Sequence, residues 1–292
     1  GFGAPGNRTP LKNLWINYFM NNSVKFKHLV FYIFSKIFFL NDSKLGRRLF
    51  VIIFNLFSII KNSSNRIFIK KNFYYNTEMD WRFYHKKQGL YAYSSGFKKR
   101  REELISSYLI KNLKFEDNDI IIDVGANNGD FFLCFDKKIN YYAFEPSPIV
   151  FSNLKYNVKN QNLYNLGVSN KSKKNIEFYL SDEFGDSSII PIKNFTNKIN
   201  IETITLDNII NKIQKKIKLI KLEAEGFEPE ILEGLKQNIN LVEYITIDCG
   251  FERGINKEST KDECYDYLIQ HNFKMLDIGK NRIVTLYKNM SL

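Results

Sequence analysis

Between Ile120 and Asp130 the chain reads Ile-Ile-Ile-Asp-Val-Gly-Ala-Asn-Asn-Gly-Asp, and no other stretch restricts the fold as tightly. A β-branched run closes on an acid, Asp123, and breaks into a turn with glycines at 125 and 129 before a helical pattern begins at Phe131. This is the pattern of a buried parallel strand handing over to a tight turn and a helix. Gly125 is expected to take a backbone conformation barred to other residues, and at Gly125 and Gly129 the missing side chains let a ligand approach the backbone. The helix start that follows suits a carboxylate or phosphate. A dinucleotide site needs Gly-x-Gly-x-x-Gly, the middle glycine facing the pyrophosphate; Asn127 stands in that place, which argues against a dinucleotide.

A second strand, Tyr141-Tyr142-Ala143-Phe144, is followed by Glu145, 22 positions beyond Asp123. An acid at that strand tip is placed to accept hydrogen bonds from ribose hydroxyls, and a ribose without a pyrophosphate means a nucleoside. Asp-Val-Gly-Ala-Asn-x-Gly followed by Phe-Glu-Pro-x-Pro resembles S-adenosylmethionine-dependent methyltransferases and, within them, the FkbM family. The resemblance runs from about Asp119 to Lys288. It implies an α/β fold, a doubly wound, mostly parallel seven-stranded sheet of the Rossmann-like class I type. It also implies S-adenosylmethionine as cofactor, with S-adenosylhomocysteine as product.

The pattern downstream agrees with such a fold. A helix is expected over Pro148–Asn160, a third strand over Leu163–Val168, further strands at Ile176–Leu180 and Ile201–Leu206, and buried strands at Ile217–Leu222 and Val242–Ile247. A helix over Cys264–His271 and a hairpin, Phe273–Ile278 with Ile283–Tyr287, close the chain. Asp207 is read as a helix cap within a Thr-Leu-Asp shared with the family. Asn165, Gly167 and Val168 match the family's adenine-side contact, and Ser187 lies in a Ser-Ser-hydrophobic segment (187–189) like the one beside the family's cofactor. The cofactor set is therefore Asp123, Gly125, Asn127, Gly129, Glu145, Asn165, Gly167, Val168 and Ser187.

Open α/β sheets bind ligands outside the carboxyl ends of their strands, and there the chain reads Lys221-Leu222-Glu223-Ala224-Glu225-Gly226-Phe227-Glu228. The FkbM pattern is Lys-x-Asp-x-Glu-Gly-x-Glu; Glu223 stands where Asp is usual, one methylene longer. Methyl transfer to a hydroxyl needs the reacting atoms held together and a proton accepted. Lys221, Glu223 and Glu225 are the candidates for that work, and spacing does not choose the base among the acids. Glu228, Asp248, Glu252 and Arg253 are candidates for hydrogen-bonding a polyhydroxylated acceptor. Acid pairs also build magnesium sites, so dependence on a divalent metal stays open, and no metal ligand is assigned.

Composition narrows the rest. Hydrophobic residues make up 44% of 292, enough for a proper core. Cys134, Cys249 and Cys264 are scattered, as reduced thiols of a cytoplasmic protein would be, and His28, His85 and His271 form no metal pattern. Residues 1–118 carry 21 Lys/Arg against 7 Asp/Glu, residues 119–292 carry 22 against 24. All the positive excess precedes the methyltransferase-like part. A basic arm seeks nucleic acid or an acidic membrane surface; neither an Asn/Asp-Pro-Pro-aromatic tetrapeptide nor a Pro-Cys pair occurs, which argues against a nucleic-acid methyltransferase.

Residues 1–10 are expected to be a vector-derived leader. Residues 11–61 form a helical arm holding two apolar runs, Leu29–Leu40 and Leu49–Ile60, each short of the roughly 20 residues that span a bilayer; it is read as a peripheral contact with the inner face of the membrane or as a homodimer contact. Residues 62–118 are a lead-in packing on the core, with short strands at Arg66–Lys70 and Phe73–Tyr75 and a helix over Phe97–Leu113. Four cations, Lys98 to Arg101, crowd that helix's first turn against its dipole; a solvated surface is the commoner reason for such a cluster, and an anion nearby is the other. Gly89-Leu90-Tyr91 and Arg101 with Tyr108 resemble the family's lead-in. Residues 119–292 form the methyltransferase domain. The expected function is O-methylation of a sugar hydroxyl in a bacterial surface glycan or its lipid-linked precursor. A small natural product as acceptor, and a binding module that has lost catalysis, are the alternatives.

Overall fold

The computed structural model describes residues 43–83, 90–181, 187–193 and 195–292, the side chain of Tyr91 excepted. Residues 1–10, the run Leu29–Leu40, His28, His85, Gly89, Gly185 and Asp186 lie outside the described residues. The chain divides into two compact units, Gly1–Ile52 and Ile53–Leu292. Its first described helix is α1 (Lys44–Ile60), followed by a meander of β1 (Ile67–Lys70), β2 (Phe73–Asn76) and β3 (Arg82–Phe83), then α2 (Phe97–Ser107). The alternating part begins with β4 (Ile120–Val124), β5 (Asn140–Phe144), α3 (Pro148–Asn157), β6 (Asn162–Tyr164) and β7 (Gly167–Val168). It continues with β8 (Lys173–Leu180), β9 (Asn197–Ile204), α4 (Leu206–Ile213), β10 (Ile217–Leu222), α5 (Glu228–Glu233) and β11 (Val242–Asp248). The chain closes with β12 (Phe251–Arg253), β13 (Glu258–Ser259), α6 (Lys261–Gln270), β14 (Phe273–Ile278) and β15 (Val284–Asn289).

Seven strands form the main sheet in the order β14-β15-β11-β10-β4-β5-β6. Neighbours from β11 to β6 pair in parallel, and β15 alone runs against its neighbours. The doubly wound sheet expected from the sequence is therefore present. Alternation along each strand splits the core into two layers. Ile120, Ile122, Val124, Ile220 and Leu222 join one cluster, while Ile121, Tyr141, Ala143 and Leu219 join the other. The chain leaves β4 toward β5 on one side and reaches β10 on the other, so the switch point where such sheets bind ligands lies between β4 and β10.

Several local expectations are corrected. The helical pattern that begins at Phe131 forms only a short 3-10 helix, Asp130–Cys134, and not an α-helix. Leu163–Val168 is two strands in different sheets: the Asn165 side chain donates to the carbonyls of Glu145 (2.8 Å) and Pro146 (2.9 Å), and β7 pairs with β9 instead. The cap of α4 is Thr205, whose hydroxyl accepts from the Asn208 N–H at 3.1 Å. Asp207, already inside the helix, accepts from the N–H groups of Lys236, Gln237 and Asn238 at 3.0 to 3.1 Å. α2 stops at Ser107, and Leu109 sits in the left-handed region.

The anions called for by the crowded start of α2 are the chain's own. Glu78 accepts the Phe97 N–H (3.2 Å), Arg100 pairs with Asp130 (2.5 Å) and Arg101 pairs with Asp136. The lead-in is also tied to the sheet's helices: Arg82 donates to the side chain of Asn153 (3.0 Å) and through its N–H to Asn157 (2.7 Å) on α3. Among the described residues no helix is long and apolar enough to cross a membrane.

Candidate active site

Register sets the centre of the site. Lys221 on β10 lies opposite Asp123 on β4 and Thr246 on β11, so strand pairing alone brings the lysine and the acid together on one face. The Lys221 ammonium is buried, 3.0 Å from Asp123 Oδ1 and 3.0 Å from Glu223 Oε2, and it also donates to the Gly125 carbonyl at 2.8 Å. Tyr141 on β5 donates its hydroxyl to Asp123. Burial pushes the Asp123 carboxyl up despite these partners, whereas the nearby acids keep Lys221 charged.

Glu223 is held from three sides. Tyr108 Oη donates to it at 2.5 Å, Lys221 pairs with it, and Arg282, at the turn between β14 and β15, bridges it to Asp248. Burial works against its charge, but Lys221, Arg282 and the Tyr108 hydroxyl outweigh it and hold Glu223 well below the usual carboxylate range. Both cations also lie over the Tyr108 ring, 5.5 and 5.8 Å from its centre. Tyr108 is itself pinned by Thr246, whose hydroxyl donates to its carbonyl at 2.8 Å.

Beside this network a cleft of about 240 Å³ opens at the switch point, lined by Gly125, Asn127, Glu145, Gly167, Val168, Ser187 and Glu225 among others. Its walls include the apolar side chains of Phe144, Leu166, Phe178 and Ile189. Glu145 is nearly buried at its edge, its two oxygens accepting the N–H groups of Ser147 (2.9 Å) and Asn127 (3.1 Å). Burial pushes this carboxyl up to about 7, against those two N–H groups. Glu225 carries a positive φ of 52°, a conformation that a non-glycine residue adopts at a cost.

Not every residue singled out from the sequence lines the cleft. Asp123 lies beneath it as the partner of Lys221. Gly125 has the expected positive φ of 73°, but what approaches it is protein: a Cβ there would sit 1.9 Å from the Glu223 carbonyl oxygen. Gly129 makes room for Leu154 and Val158 of the α3 region rather than for a ligand, and Asn165 braces the turn after β5. Ser187 accepts the Ser181 N–H at 3.0 Å.

Of the residues expected at the acceptor, Glu228 is buried and spent inside the fold, its oxygens taking the N–H groups of Ala224 (2.7 Å) and Gly226 (3.3 Å) and the Thr260 hydroxyl (3.2 Å). Arg253 clamps Glu230 in a two-pronged pair at 2.9 and 2.6 Å. Glu252 stands on β12 outside the cleft lining. Asp248 does reach the network, through Arg282. Tyr108 and Arg282 complete that network; the lead-in resemblance carried a signal for Tyr108, while nothing in the turn around Arg282 distinguished it. Among the described residues no group of three or more His, Cys, Asp or Glu side chains is placed to hold a metal ion.

Residues 123–275 match the family model described as the Methyltransferase FkbM domain, just over half of the chain. The chain belongs to the FkbM methyltransferase family. Within 146 aligned residues it is 27% identical to the hexuronic acid methyltransferase AglP of Haloferax volcanii, over 46% of this chain and 56% of that protein. It is 25% identical over 181 residues to the 2-O-methyltransferase NoeI of Sinorhizobium fredii, over 54% of this chain and 74% of the other. A solved FkbM methyltransferase from Methylobacillus flagellatus aligns with a TM-score of 0.43 at 16% identity, over 68% of this chain and 53% of that one. This FkbM chain thus spans little more than half the length of the first of these relatives. Tyr108 and Arg282 both fall outside the matched stretch.

Proposed function

We propose that this FkbM protein is an S-adenosylmethionine-dependent O-methyltransferase whose acceptor is a sugar hydroxyl of a glycan or its precursor. The observation that carries the reading is Glu145, set between two backbone N–H groups at the tip of β5 beside an apolar-walled cleft. The donor set fits a nucleoside bearing a cation. Phe144, Leu166, Val168 and Ile189 offer walls for a base, Glu145 keeps lone pairs for ribose hydroxyls, and Glu223 and Glu225 supply negative charge at the other end. When bound, the sulfonium supplies an electrophilic methyl group. The relatives' names, one a hexuronic acid methyltransferase and one a 2-O-methyltransferase, support the acceptor class.

In this reading Glu225 accepts the proton of the acceptor hydroxyl. Glu223 is a poor base, because a carboxylate held charged by Lys221, Arg282 and Tyr108 gains little from a proton; its work is to fix the mouth of the site, with Asp248 and Arg282. The test is transfer of labelled methyl from S-adenosylmethionine to a panel of uronic acids, neutral sugars and small phenolic or polyketide hydroxyls. Labelling confined to the non-sugar acceptors overturns the sugar assignment. Failure to bind the cofactor at all overturns the whole reading.

A further inference from the structure

Helix α1 presents Leu45, Leu49, Ile52, Leu56 and Ile59 to solvent, with relative exposures of 38% to 68%. Their spacing of four, three, four and three residues lines them up on one face of the helix. Ile60 extends the stripe at 76% exposed, while Phe50, Phe54 and Ser58 on the opposite face are fully buried. An apolar stripe of this length left in water is costly, and such a face marks a docking surface. At 17 residues the helix is shorter than a bilayer span.

Charge decides what the stripe fits. From Ser43 to Thr77 the chain has seven Lys/Arg and no Asp or Glu, and Lys44 and Arg48 stand exposed beside the stripe. A second copy of the helix would need a self-complementary face, with opposite charges flanking the seam. Here the two helices would bring cations such as Lys44 and Arg48 to the seam and, from Lys44 to Ile60, no acid to meet them. An anionic lipid surface meets both halves of the pattern, taking the apolar face into the headgroup boundary and the cations onto lipid phosphates. We infer that α1 docks this protein in the plane of an anionic membrane surface through Leu45, Leu49, Ile52, Leu56 and Ile59, with Lys44 and Arg48 on the headgroups. This inference does not depend on the catalytic reading.

The experiment uses the full chain in co-sedimentation with phosphatidylcholine vesicles, with and without phosphatidylglycerol. Binding is expected only when phosphatidylglycerol is present, and it weakens as salt shortens the Debye length from about 10 Å. The double variant Leu49→Gln/Leu56→Gln replaces two exposed side chains, so its circular dichroism and melting should match the parent, while vesicle affinity falls at least about tenfold. No vesicle binding by the parent at low salt overturns the inference, and so does unchanged binding by the variant. A parent that light scattering shows to be a dimer and a variant that is a monomer would place a second copy on the stripe instead, which also overturns it. Binding of 5′-methylthioadenosine, followed in the same samples, should be unaffected by the variant; its loss in the parent would count against the cofactor site and not against the docking surface.

Discussion

The Lys221–Asp123 pair is buried on both sides, and such pairs are held more by the cost of breaking them than by their own attraction. Lys221→Met leaves the buried Asp123 without its cation, to stand unpaired or to take up a proton, and should cost about 3 to 5 kcal/mol. Adding Asp123→Asn should recover part of that loss; urea unfolding of the parent, the single and the double variant measures both. Glu145 behaves differently, because its carboxyl moves from 4.5 to about 7 on folding. The folded state then holds the proton more tightly, so the stability tied to it is complete below pH 4.5 and is lost as the pH rises to 7, on the order of 3 kcal/mol. Glu145→Gln should remove that slope in thermal unfolding between pH 4.5 and 7. Ribose hydroxyls donate to the ionised form, so 5′-methylthioadenosine, which has no amine titrating here, should bind more tightly above pH 7. Glu145→Ala should weaken it at least about tenfold. For the transfer step, Glu225→Gln should lower kcat by ~10² or more with cofactor affinity near normal. Equal loss of affinity and turnover would make Glu225 a binding residue instead.

Loops rather than strands hold the second half of the site in shape. The segment from Glu223 to Glu228 is folded back by the Glu228 carboxylate, and Gly226, at φ 91°, brings its backbone so close to β12 that a Cβ would lie 2.3 Å from the Arg253 Cα. Gly226→Ala therefore meets both a barred conformation and a clash with backbone. It should lower the melting temperature and loosen the loop carrying Glu225, seen as faster amide exchange over residues 223–228. The Asp207 side chain does similar work between α4 and the turn at Lys236–Asn238. Asp207→Ala should cost about 1 to 2 kcal/mol without touching cofactor affinity, since it lies away from the cleft lining.

Across the molecule, the network around Glu223 draws on chain separated by long intervals: Tyr108 follows α2, Asp123 ends β4, Asp248 ends β11 and Arg282 precedes β15. β15 sits between β14 and β11 and runs against both, and this places the hairpin turn, with Arg282, over the strand ends. Tyr108, just after α2, reaches Glu223 from one side as the hairpin delivers Arg282 from the other.

The run from Ile120 to Asp130, the acid at 145 and the cluster at 221–228 were legible because each depends on local order. Strand alternation, a glycine at a positive φ and an acid at a strand tip are properties of neighbouring residues, and the fold class follows from their succession. The division of labour among the acids was not legible. Glu223, Glu225 and Glu228 look alike as a string, yet Glu223 lines the cleft clamped by two cations and a tyrosine, Glu225 lines it from a backbone at positive φ, and Glu228 is consumed by backbone N–H groups. Part of that difference is local, Glu228 turning back onto the N–H groups of Ala224 and Gly226, but the clamp on Glu223 comes from far along the chain, as in the 2.5 Å bond from Tyr108 and the pair with Arg282. The fate of a carboxylate depends on which donors surround it in space, and only the packed sheet and its returning hairpin decide that.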